Sequence, residues 1–478
     1  MYASYGLFID GAWSGSATGA STEITDPGNG DVLGVVPVAS VDDTNRAISV
    51  ADKAFDAWKK TPAWTRADHL HRAADVMAAR TAEAARQITL ETGKPLAQAG
   101  REWALAVDQF RWYAEEARRI YGRIVESRVP GGRLEVTHEP VGVVAAFTAW
   151  NFPAALIARK VAPALAAGCA VIVRPSVEVP GVAMVLFDCL REAGLPAGVA
   201  NLLIGPTGNT YKPIMASPVV RKVSLTGSTR VGQQMIRDSA ETVKRISMEL
   251  GGNAPMIVFD DADLDKALDL AVPTKYANAG QVCVTPDRFY VHETLHDRFA
   301  DGFAARARAL KLGHGLDETT QMGPLINERR MAAIEEIVAD ASDRGGKILA
   351  GGRRPKDMNS GYFFEPTVIT GLPDDAKAIA EENFGPIAAI TAFSSTDEVF
   401  ERANASEMGL SAYVFTRDAG RARDAAARLE AGMVGVNSFA LAAAEAPFGG
   451  IKASGMGREG GTEGILDYSN VKLAQMLV

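Results

Sequence analysis

Long apolar runs alternate with amphipathic stretches through the middle of the chain. VGVVAAFTA (141–149) and AVIVRPS (170–176) are typical of strands buried on both faces. Between them, the stretch from Pro153 to Ala167 predicts a helix with its proline near the start. The alternation continues with strands predicted at 201–205 and 221–228 and a helix from Gly181 to Ala193. This order predicts a parallel sheet covered by helices, and so an α/β fold.

A second α/β region is predicted after Glu249. PMIVFDD (255–261) and RFYVHE (288–293) predict strands, and DLDKALDLAVPTKYANAG between them is mostly helical in pattern. The runs GPIAAITAF and MVGVN continue the alternation. Because 478 residues are too many for one ordinary core, we expect two or three folding units.

Two segments stand apart from this alternation. Residues 122–140 predict an extended hairpin with Pro130, Gly131 and Gly132 at its tip. The tail DYSNVKLAQMLV (467–478) predicts a strand. Since an unpaired strand edge invites strand addition, we expect both segments to pair with another subunit.

Composition and charge exclude several classes of protein. The net charge is −8 without a long basic run, which argues against nucleic acid as a partner. No apolar run is long enough to cross a membrane, and the start MYASYGLFIDGAW does not resemble a secretory signal. Three cysteines are too few for a disulfide framework, so we expect a reducing, cytoplasmic setting.

Two short motifs match chemical fingerprints but lack the context that the chemistry needs. HETLH (292–296) fits a zinc pattern, which requires both histidines on one helical face. Here His292 ends a predicted strand and the helix begins at about Thr294, so we predict no metal site. GMGREG (455–460) fits a dinucleotide fingerprint, but KAS before it is not a strand and only a short tail follows. We interpret it as a flexible glycine turn.

Three residues are candidates for catalysis. Cys283, in the small-residue loop NAGQVCVTP, is a candidate nucleophile, although a lone cysteine is more often a core residue. Cys169 and Cys189 fit that core interpretation. Glu249, among apolar residues and glycines, is a candidate general base or a salt-bridged strand end. Asn151 is a candidate oxyanion donor or a helix cap.

At these residues the chain resembles the aldehyde dehydrogenase superfamily over nearly its full length. The order of the matching stretches and the spacing of Glu249 and Cys283 also agree with that family. The stretches are AWNFP (149–153), KVAPALAAGC (160–169), LTGSTRVG (225–232), MELGGN (248–253), NAGQVCV (278–284), EENFGP (381–386) and PFGGIKASGMGRE (447–459).

The resemblance implies a fold of three parts and an oligomer. These are a Rossmann-type cofactor domain (1–121 and 141–250), an α/β catalytic domain (251–446) and a β oligomerisation arm (122–140 and 462–478). The catalytic cleft is expected between the first two parts. Members of the family are homodimers or homotetramers, and the sequence does not choose between them.

The resemblance also implies a mechanism. Cys283 attacks the aldehyde, the Asn151 amide and the Cys283 backbone N–H hold the oxyanion, and Glu249 activates the water that hydrolyses a thioester. The alternatives are a thioester passed to coenzyme A, against which Glu249 argues, and a non-catalytic protein on the same scaffold. NAD or NADP accepts the hydride. The cofactor-binding residues carried over are Trp150, Arg174, Ser176, Gly205, Gly227, Ser228, Glu382 and Phe384.

Two departures from the family bear on the choice of cofactor. Arg174 stands where the family usually has lysine, and a guanidinium suits a phosphate. Val177 stands where NAD-preferring members often have a glutamate that binds the adenosine ribose. We therefore predict that NADP+ is accepted, with either cofactor open as the preferred one.

FRWYAEEARRIYG (110–122) and NFPAALIARK (151–160) are similar to the succinate-semialdehyde dehydrogenase branch. There Arg159 corresponds to an anchor for the substrate carboxylate, with Phe152 also at the substrate, whereas the alternative is a surface arginine. Ala277 replaces a second arginine of that branch, and an expected serine near 442–443 is absent. We expect a semialdehyde such as succinate semialdehyde; the alternative is a neutral aliphatic or aromatic aldehyde.

Overall fold

The computed structural model describes residues 2–477, so Met1 and Val478, the outermost residues of the predicted cofactor domain and arm, lie outside it. The strands are β1 (Leu7–Ile9), β2 (Ala12–Ser14), β3 (Ser21–Thr25), β4 (Val32–Pro37), β5 (Arg123–Glu126), β6 (Gly132–Pro140), β7 (Val143–Phe147), β8 (Ala170–Arg174), β9 (Ala200–Leu202), β10 (Val220–Thr226), β11 (Arg245–Glu249), β12 (Ala254–Val258), β13 (Pro286–His292), β14 (Lys347–Ala350), β15 (Thr367–Thr370), β16 (Ile387–Phe393), β17 (Met408–Gly409), β18 (Ser411–Phe415), β19 (Met433–Val436), β20 (Ile451–Lys452), β21 (Gly455–Met456) and β22 (Ser469–Leu477).

Helices cover the sheets and link their strands. They are α1 (Val41–Trp58), α2 (Ala63–Ala79), α3 (Thr81–Thr92), α4 (Leu96–Glu116), α5 (Pro153–Ala167), α6 (Pro180–Glu192), α7 (Thr207–Ala216), α8 (Thr229–Ser239), α9 (Leu264–Tyr276), α10 (Glu293–Arg308), α11 (Glu328–Asp343), α12 (Lys377–Ala380), α13 (Thr396–Asn404), α14 (Ala419–Arg428) and α15 (Gly461–Leu466), with short 3-10 turns at Ala117–Arg119, Ala240–Thr242 and Ala277–Gly280. No helix within 2–477 combines the length and apolarity that a membrane crossing requires.

The first sheet has the strand order β2-β1-β9-β8-β7-β10-β11-β21. The strands from β9 to β11 run parallel, and β1, β2 and β21 add antiparallel edges. Every residue of β7 is buried, because helices cover both faces. The strands predicted from 141 to 228 coincide with β7 to β10, so the predicted parallel α/β sheet is confirmed.

A second sheet has the order β14-β15-β16-β13-β12-β18-β19, with only β14 antiparallel. The largest apolar core is built from residues up to Leu250, with Ile465 and Tyr468 from the tail. A separate core begins at Ala254. Because the two cores are separated between Leu250 and Ala254, the domain boundary predicted at 250–251 remains our proposal.

The hairpin β5–β6 and the tail strand β22 form one three-stranded antiparallel sheet within the chain. β5 and β22 each find a partner within the chain and each keep one free edge, so pairing of these segments with another subunit stays a prediction. β6 has two edges, and β5 occupies one while β22 occupies the other along nine residues. Apolar side chains such as Ile124, Val471 and Leu473 stay largely exposed on this sheet.

The motif at 455–460 begins with a strand, so the expectation of a turn is wrong for its first two residues. Gly455 and Met456 form β21, which pairs with the end of β11. A Cβ on Gly455 would lie 1.8 Å from the Met248 carbonyl oxygen, so only glycine permits this approach. The buried Ser454 hydroxyl donates to the Gly251 carbonyl at 2.6 Å.

The histidines of the motif at 292–296 make separate contacts. His292 closes β13, and α10 begins at Glu293, one residue before the predicted start. Nδ1 of His292 lies 2.9 Å from the Thr294 hydroxyl, whereas Nδ1 of His296 lies 2.9 Å from Asp297. In the described part of the chain, no three His, Cys, Asp or Glu side chains are grouped as metal ligands.

Candidate active site

The candidate residues of the first half follow the carboxyl ends of parallel strands. β7, β8, β9, β10 and β11 end at Phe147, Arg174, Leu202, Thr226 and Glu249. Ends of parallel strands meet at one edge of a sheet, where open α/β folds bind their ligands. The topology therefore brings the predicted catalytic and cofactor residues of this half to one edge.

The loop that carries Cys283 is held in an unusual backbone conformation. Asn278 and Ala279 adopt left-handed φ angles of 49° and 53°, which non-glycine residues rarely adopt. The Gln281 side chain stabilises this turn, since its Nε2 donates to the Asn278 carbonyl at 2.9 Å and its Oε1 accepts from the Ile326 N–H at 3.0 Å. The nucleophile candidate thus lies on a fixed loop.

Cys283 is partly exposed, and it packs against an apolar cluster of Leu410, Met433 and Phe448. Burial of the sulfur raises the pKa of Cys283 to about 12, and the charge of Glu382 raises it further, whereas the Arg159 guanidinium lowers it. The thiol is therefore protonated at neutral pH, and its reaction requires removal of that proton.

Glu249, the last residue of β11, is buried. Within residues 2–477, neither of its carboxylate oxygens has a hydrogen-bond partner, so the alternative of a salt-bridged strand end is not found. Burial, then the charge of Glu459, raises the pKa of Glu249 well above its usual range, while Lys160 and Arg159 lower it. A desolvated carboxylate of this kind is a stronger base than one in water.

A buried ion pair between Lys160 of α5 and Glu459 accompanies Glu249. The second oxygen of Glu459, Oε2, has no partner among the described residues. The sequence reasoning missed this pair, although both residues lie in the stretches that match the family. The charge of Glu459 acts on Glu249 only because the fold brings the tail beside β11.

Asn151 joins β7 to α5. Its Nδ2 donates to the Gln281 carbonyl of the Cys283 loop at 3.1 Å. The N-cap residue of α5 is Phe152, and no side chain makes a capping hydrogen bond to this helix. The alternative role of Asn151 as a helix cap is therefore not found. The Asn151 amide is thus directed at the loop that carries the candidate nucleophile.

The Asn151 backbone carbonyl accepts hydrogen bonds from the Asn278 amide at 3.1 Å and from Lys94 Nζ at 2.9 Å. Sequence reasoning missed Asn278 and Gln281, which the matched stretch NAGQVCV contains. It also missed Lys94 and its partner Glu102, for which the local pattern offers no signal. These contacts connect three separate segments of the chain at one point.

Arg159 is buried in α5, with 6% of the residue exposed, and so is not a surface arginine. Its guanidinium lies 4.1 Å from the Phe448 ring centre and donates to the Ala442 carbonyl at 3.4 Å. Its positive charge lowers the pKa of both Cys283 and Glu249. Phe152 lies apart from this contact, with its ring centre 3.8 Å from Lys94 Nζ.

Trp150 and Phe384 are in contact, and Glu382 lies two residues before Phe384 in the chain. The Trp150 and Phe384 rings meet edge to face with centres 5.5 Å apart. Arg330 holds the left-handed Phe384 (φ 45°) by donating to its carbonyl at 3.1 Å. Glu382 accepts from the Gly252 N–H at 2.9 Å, and burial raises its pKa to about 7.

The other candidate cofactor residues lie at the ends of β8, β9 and β10. Arg174 donates to the Gly205 carbonyl through Nη2 at 2.8 Å and Nε at 3.1 Å. Ser176 donates to the carboxylate of Glu178, a neighbour that the sequence reasoning did not consider. The charge of Glu178 also acts on Arg174. A carboxylate therefore accompanies the guanidinium at this end of the sheet.

Gly227 and Ser228 lead into α8. The Gly227 N–H donates to the Glu249 carbonyl at 3.0 Å, and Ser228 is an N-cap residue whose side chain makes no cap bond. The first N–H groups of a helix with such a start are available to an anion.

The chain is similar to aldehyde dehydrogenases along nearly all of its length. The model described as "Aldehyde dehydrogenase family" matches residues 13–474. The 3-sulfolactaldehyde dehydrogenase of Pseudomonas putida is 46% identical, over 97% of this chain and 95% of the relative. The succinate-semialdehyde dehydrogenase [NADP(+)] of Escherichia coli is 44% identical, over 97% of this chain and 96% of the relative.

Solved structures agree with these relatives. The succinate-semialdehyde dehydrogenase of Burkholderia pseudomallei has a TM-score of 0.97 at 44% identity, covering 99% of this chain and 98% of that one. An NADP-dependent enzyme of E. coli also reaches 0.97, at 43% identity and with the same coverage. The predicted resemblance and the predicted fold are thus confirmed, and the chain belongs to the aldehyde dehydrogenase family, whose members are oxidoreductases.

Proposed function

We propose that this enzyme oxidises a semialdehyde with an anionic group at its far end, such as succinate semialdehyde, to the corresponding acid. The observation that carries this proposal is the buried Arg159 guanidinium, whose charge acts on both Cys283 and Glu249. A buried cation next to the reacting groups favours an anionic substrate tail. The aldehydes named for the sulfolactaldehyde, glutarate-semialdehyde and succinate-semialdehyde relatives all carry an acid group.

In the proposed reaction, Cys283 Sγ gives up its proton to the surrounding water, and its electron pair forms a bond to the aldehyde carbon. The Asn151 amide and the Cys283 backbone N–H donate to the resulting oxyanion, which they stabilise as its charge develops. NAD+ or NADP+, when bound, supplies the hydride acceptor, and a thioester stays on Cys283. Glu249 takes a proton from water, the water oxygen attacks the thioester, and the acid departs as the thiol regains a proton.

The cofactor cleft suits a dinucleotide. The hydroxyls of Thr148 and Thr226 are buried at the ends of β7 and β10 without a hydrogen-bond partner among the described residues. Helix α8 begins three residues after Thr226, and its N-terminus suits a pyrophosphate. Trp150, Glu382 and Phe384 would hold the nicotinamide end. The donors and acceptors present therefore fit the group that the family uses.

Removing the Arg159 charge should weaken binding of anionic substrates. In Arg159→Ala we expect KM for succinate semialdehyde to rise by about 10–100-fold, because one charge-assisted hydrogen bond is worth about 1.5–3 kcal/mol. Arg159→Met, which keeps most of the side-chain volume over Phe448, should behave similarly. Steady-state kinetics of cofactor reduction measures the KM of both variants.

A neutral aldehyde of equal length provides the matched control. Its KM should change by less than about threefold in the same variants, since it has no charge to lose. An unchanged KM for succinate semialdehyde would remove the anchor and favour the alternative substrate class, a neutral aliphatic or aromatic aldehyde. Assays with and without coenzyme A distinguish hydrolysis from acyl transfer.

We expect NADP+ and NAD+ both to be reduced, with Glu178 limiting the use of NADP+. The carboxylate near Ser176 and Arg174 repels a 2′-phosphate, so Glu178→Gln should raise kcat/KM for NADP+ relative to NAD+ by about 3–10-fold. Glu192→Gln, at the far end of α6, is the control. A strong NAD+ preference that persists in Glu178→Gln would contradict our interpretation of Arg174 and Val177.

We also propose that the enzyme is a homodimer or homotetramer, with the exposed apolar side chains of the β5–β6–β22 sheet covered by a second copy. Sedimentation equilibrium should show no monomer at micromolar concentration. Leu473→Lys together with Val471→Lys should shift the distribution towards smaller species, because buried lysines are costly at an interface. A wild-type protein that is monomeric throughout would contradict this proposal.

A further inference from the structure

A buried ion pair lies at the start of α4, outside the groups assigned to the reaction. Lys94 and Glu102 have side chains that are 1% and 0% exposed, and they contact each other directly. Burying two charges is costly unless each finds further partners. Where those partners lie therefore indicates what the pair does in the fold.

All further partners of the pair lie on one short segment, from Asn151 to Ala155. Lys94 Nζ donates to the Asn151 carbonyl at 2.9 Å, and the Phe152 ring centre lies 3.8 Å from the same nitrogen. Glu102 Oε1 accepts from the Ala154 N–H at 2.8 Å and from the Ala155 N–H at 3.5 Å. The two charges hold this segment from both sides.

The N-terminus of α5, which this segment contains, lacks a side-chain cap of its own. The N-cap residue of α5, Phe152, offers no side-chain bond to the helix, so Glu102 takes the place of the missing cap. Asn278 of the Cys283 loop donates to the same Asn151 carbonyl that Lys94 reaches. The ion pair and the Cys283 loop therefore meet at the backbone of Asn151.

We propose that Lys94 and Glu102 are positioning residues that fix the Asn151 amide where the oxyanion forms, an inference that rests on the role proposed for Asn151. Neither needs to touch the substrate. A donor placed by a rigid support stabilises the oxyanion without reorganisation, and a small displacement of that donor weakens its effect. Loss of the pair should slow the chemical step while binding of the aldehyde and the cofactor is kept.

The test is a double-mutant cycle on kcat. Lys94→Met should lower kcat by about 10–100-fold, with both KM values within about threefold of the wild type. In an Asn151→Ala background the same change should lower kcat by less than about threefold, because the donor that Lys94 positions is already gone. The rate of the first turnover, followed as cofactor reduction, should fall in parallel with kcat.

Lys222→Met is the matched control, because Lys222 is also fully buried and pairs with Asp467 at 2.9 Å, away from Asn151. We expect a comparable loss of thermal stability and a kcat within about threefold of the wild type. If Lys94→Met is insoluble, Glu102→Gln, which retains an oxygen for the Ala154 N–H, enters the same cycle.

The outcomes separate this inference from the proposed function. A wild-type protein that reduces neither cofactor with any aldehyde overturns the proposed function. An active wild type whose kcat is insensitive to loss of the ion pair overturns the positioning role alone. So does a kcat that falls by the same factor with and without the Asn151 side chain.

Discussion

Replacing Cys283 by serine is expected to reduce aldehyde oxidation by about 10³-fold or more. A serine hydroxyl is far harder to deprotonate than a thiol, and burial at this position disfavours the deprotonated side chain. Burial and the charge of Glu382 already raise the pKa of Cys283 to about 12, although the Arg159 charge opposes them. Steady-state kinetics and the adduct mass after incubation with aldehyde and cofactor measure the effect.

Cys189→Ser is the control for this substitution. Cys189 lies fully buried in α6, whereas Cys283 is partly exposed, so Cys189 is not accessible to a substrate. We expect its kcat to stay within about twofold of the wild type. Iodoacetamide should inactivate the wild type and Cys189→Ser alike. A Cys283→Ser protein that turned over aldehydes as fast as the wild type would refute the thioester mechanism.

Glu249→Gln is expected to lower kcat by about 10²–10⁴-fold, the usual contribution of a general base. The amide cannot take a proton from water, so hydrolysis of the thioester slows while its formation continues. A rapid burst of reduced cofactor, equal to the enzyme concentration, should precede a slow steady state. Mass spectrometry should then show the acyl group on the protein.

The pH dependence of kcat gives a second view of Glu249. Burial and the charge of Glu459 raise the pKa of Glu249, so its basic form is lost as the pH falls through that raised pKa. In the wild type kcat should therefore rise with pH, with an inflection above the usual glutamate range. Glu249→Gln should lose this inflection.

A matched control for the charge change is Glu381→Gln, which alters an exposed carboxylate of the EENFGP stretch. Its kcat and its pH profile should follow those of the wild type. A steady-state rate of Glu249→Gln equal to that of the wild type would show that another group activates the water. Glu459, whose charge raises the pKa of Glu249, would then be the alternative carboxylate.

The sequence was sufficient to predict the strands β7 to β10, helix α5 and the choice of Cys283, Glu249 and Asn151 as candidates. Strands buried on both faces must be apolar throughout, so their pattern is visible locally. The candidates lie in short stretches whose order resembles one family. The sequence did not predict the strand at Gly455, because this residue pairs with Glu249, and that pairing is a contact between distant segments.

Contacts between side chains that are distant in the sequence could not be predicted for the same reason. Lys94 lies 57 positions from Asn151, and Lys160 lies 299 positions from Glu459. Nothing in either local pattern indicates such a pair, since hydrogen bonds and ion pairs depend on distances of a few ångström in the folded chain. The pairing of the tail strand β22 with β6 was not predicted either, because the two strands lie far apart in the sequence.

By itself, then, the sequence determined which segments are buried, which kind of sheet they form and which residues are candidates for the reaction. These properties follow from side-chain chemistry and local periodicity. Only the tertiary structure decided that Glu249 has no hydrogen-bond partner among residues 2–477, that Arg159 is buried near the candidate residues, and that Lys94 bonds the Asn151 backbone. Desolvation and electrostatic interaction are set by the neighbours that folding brings together.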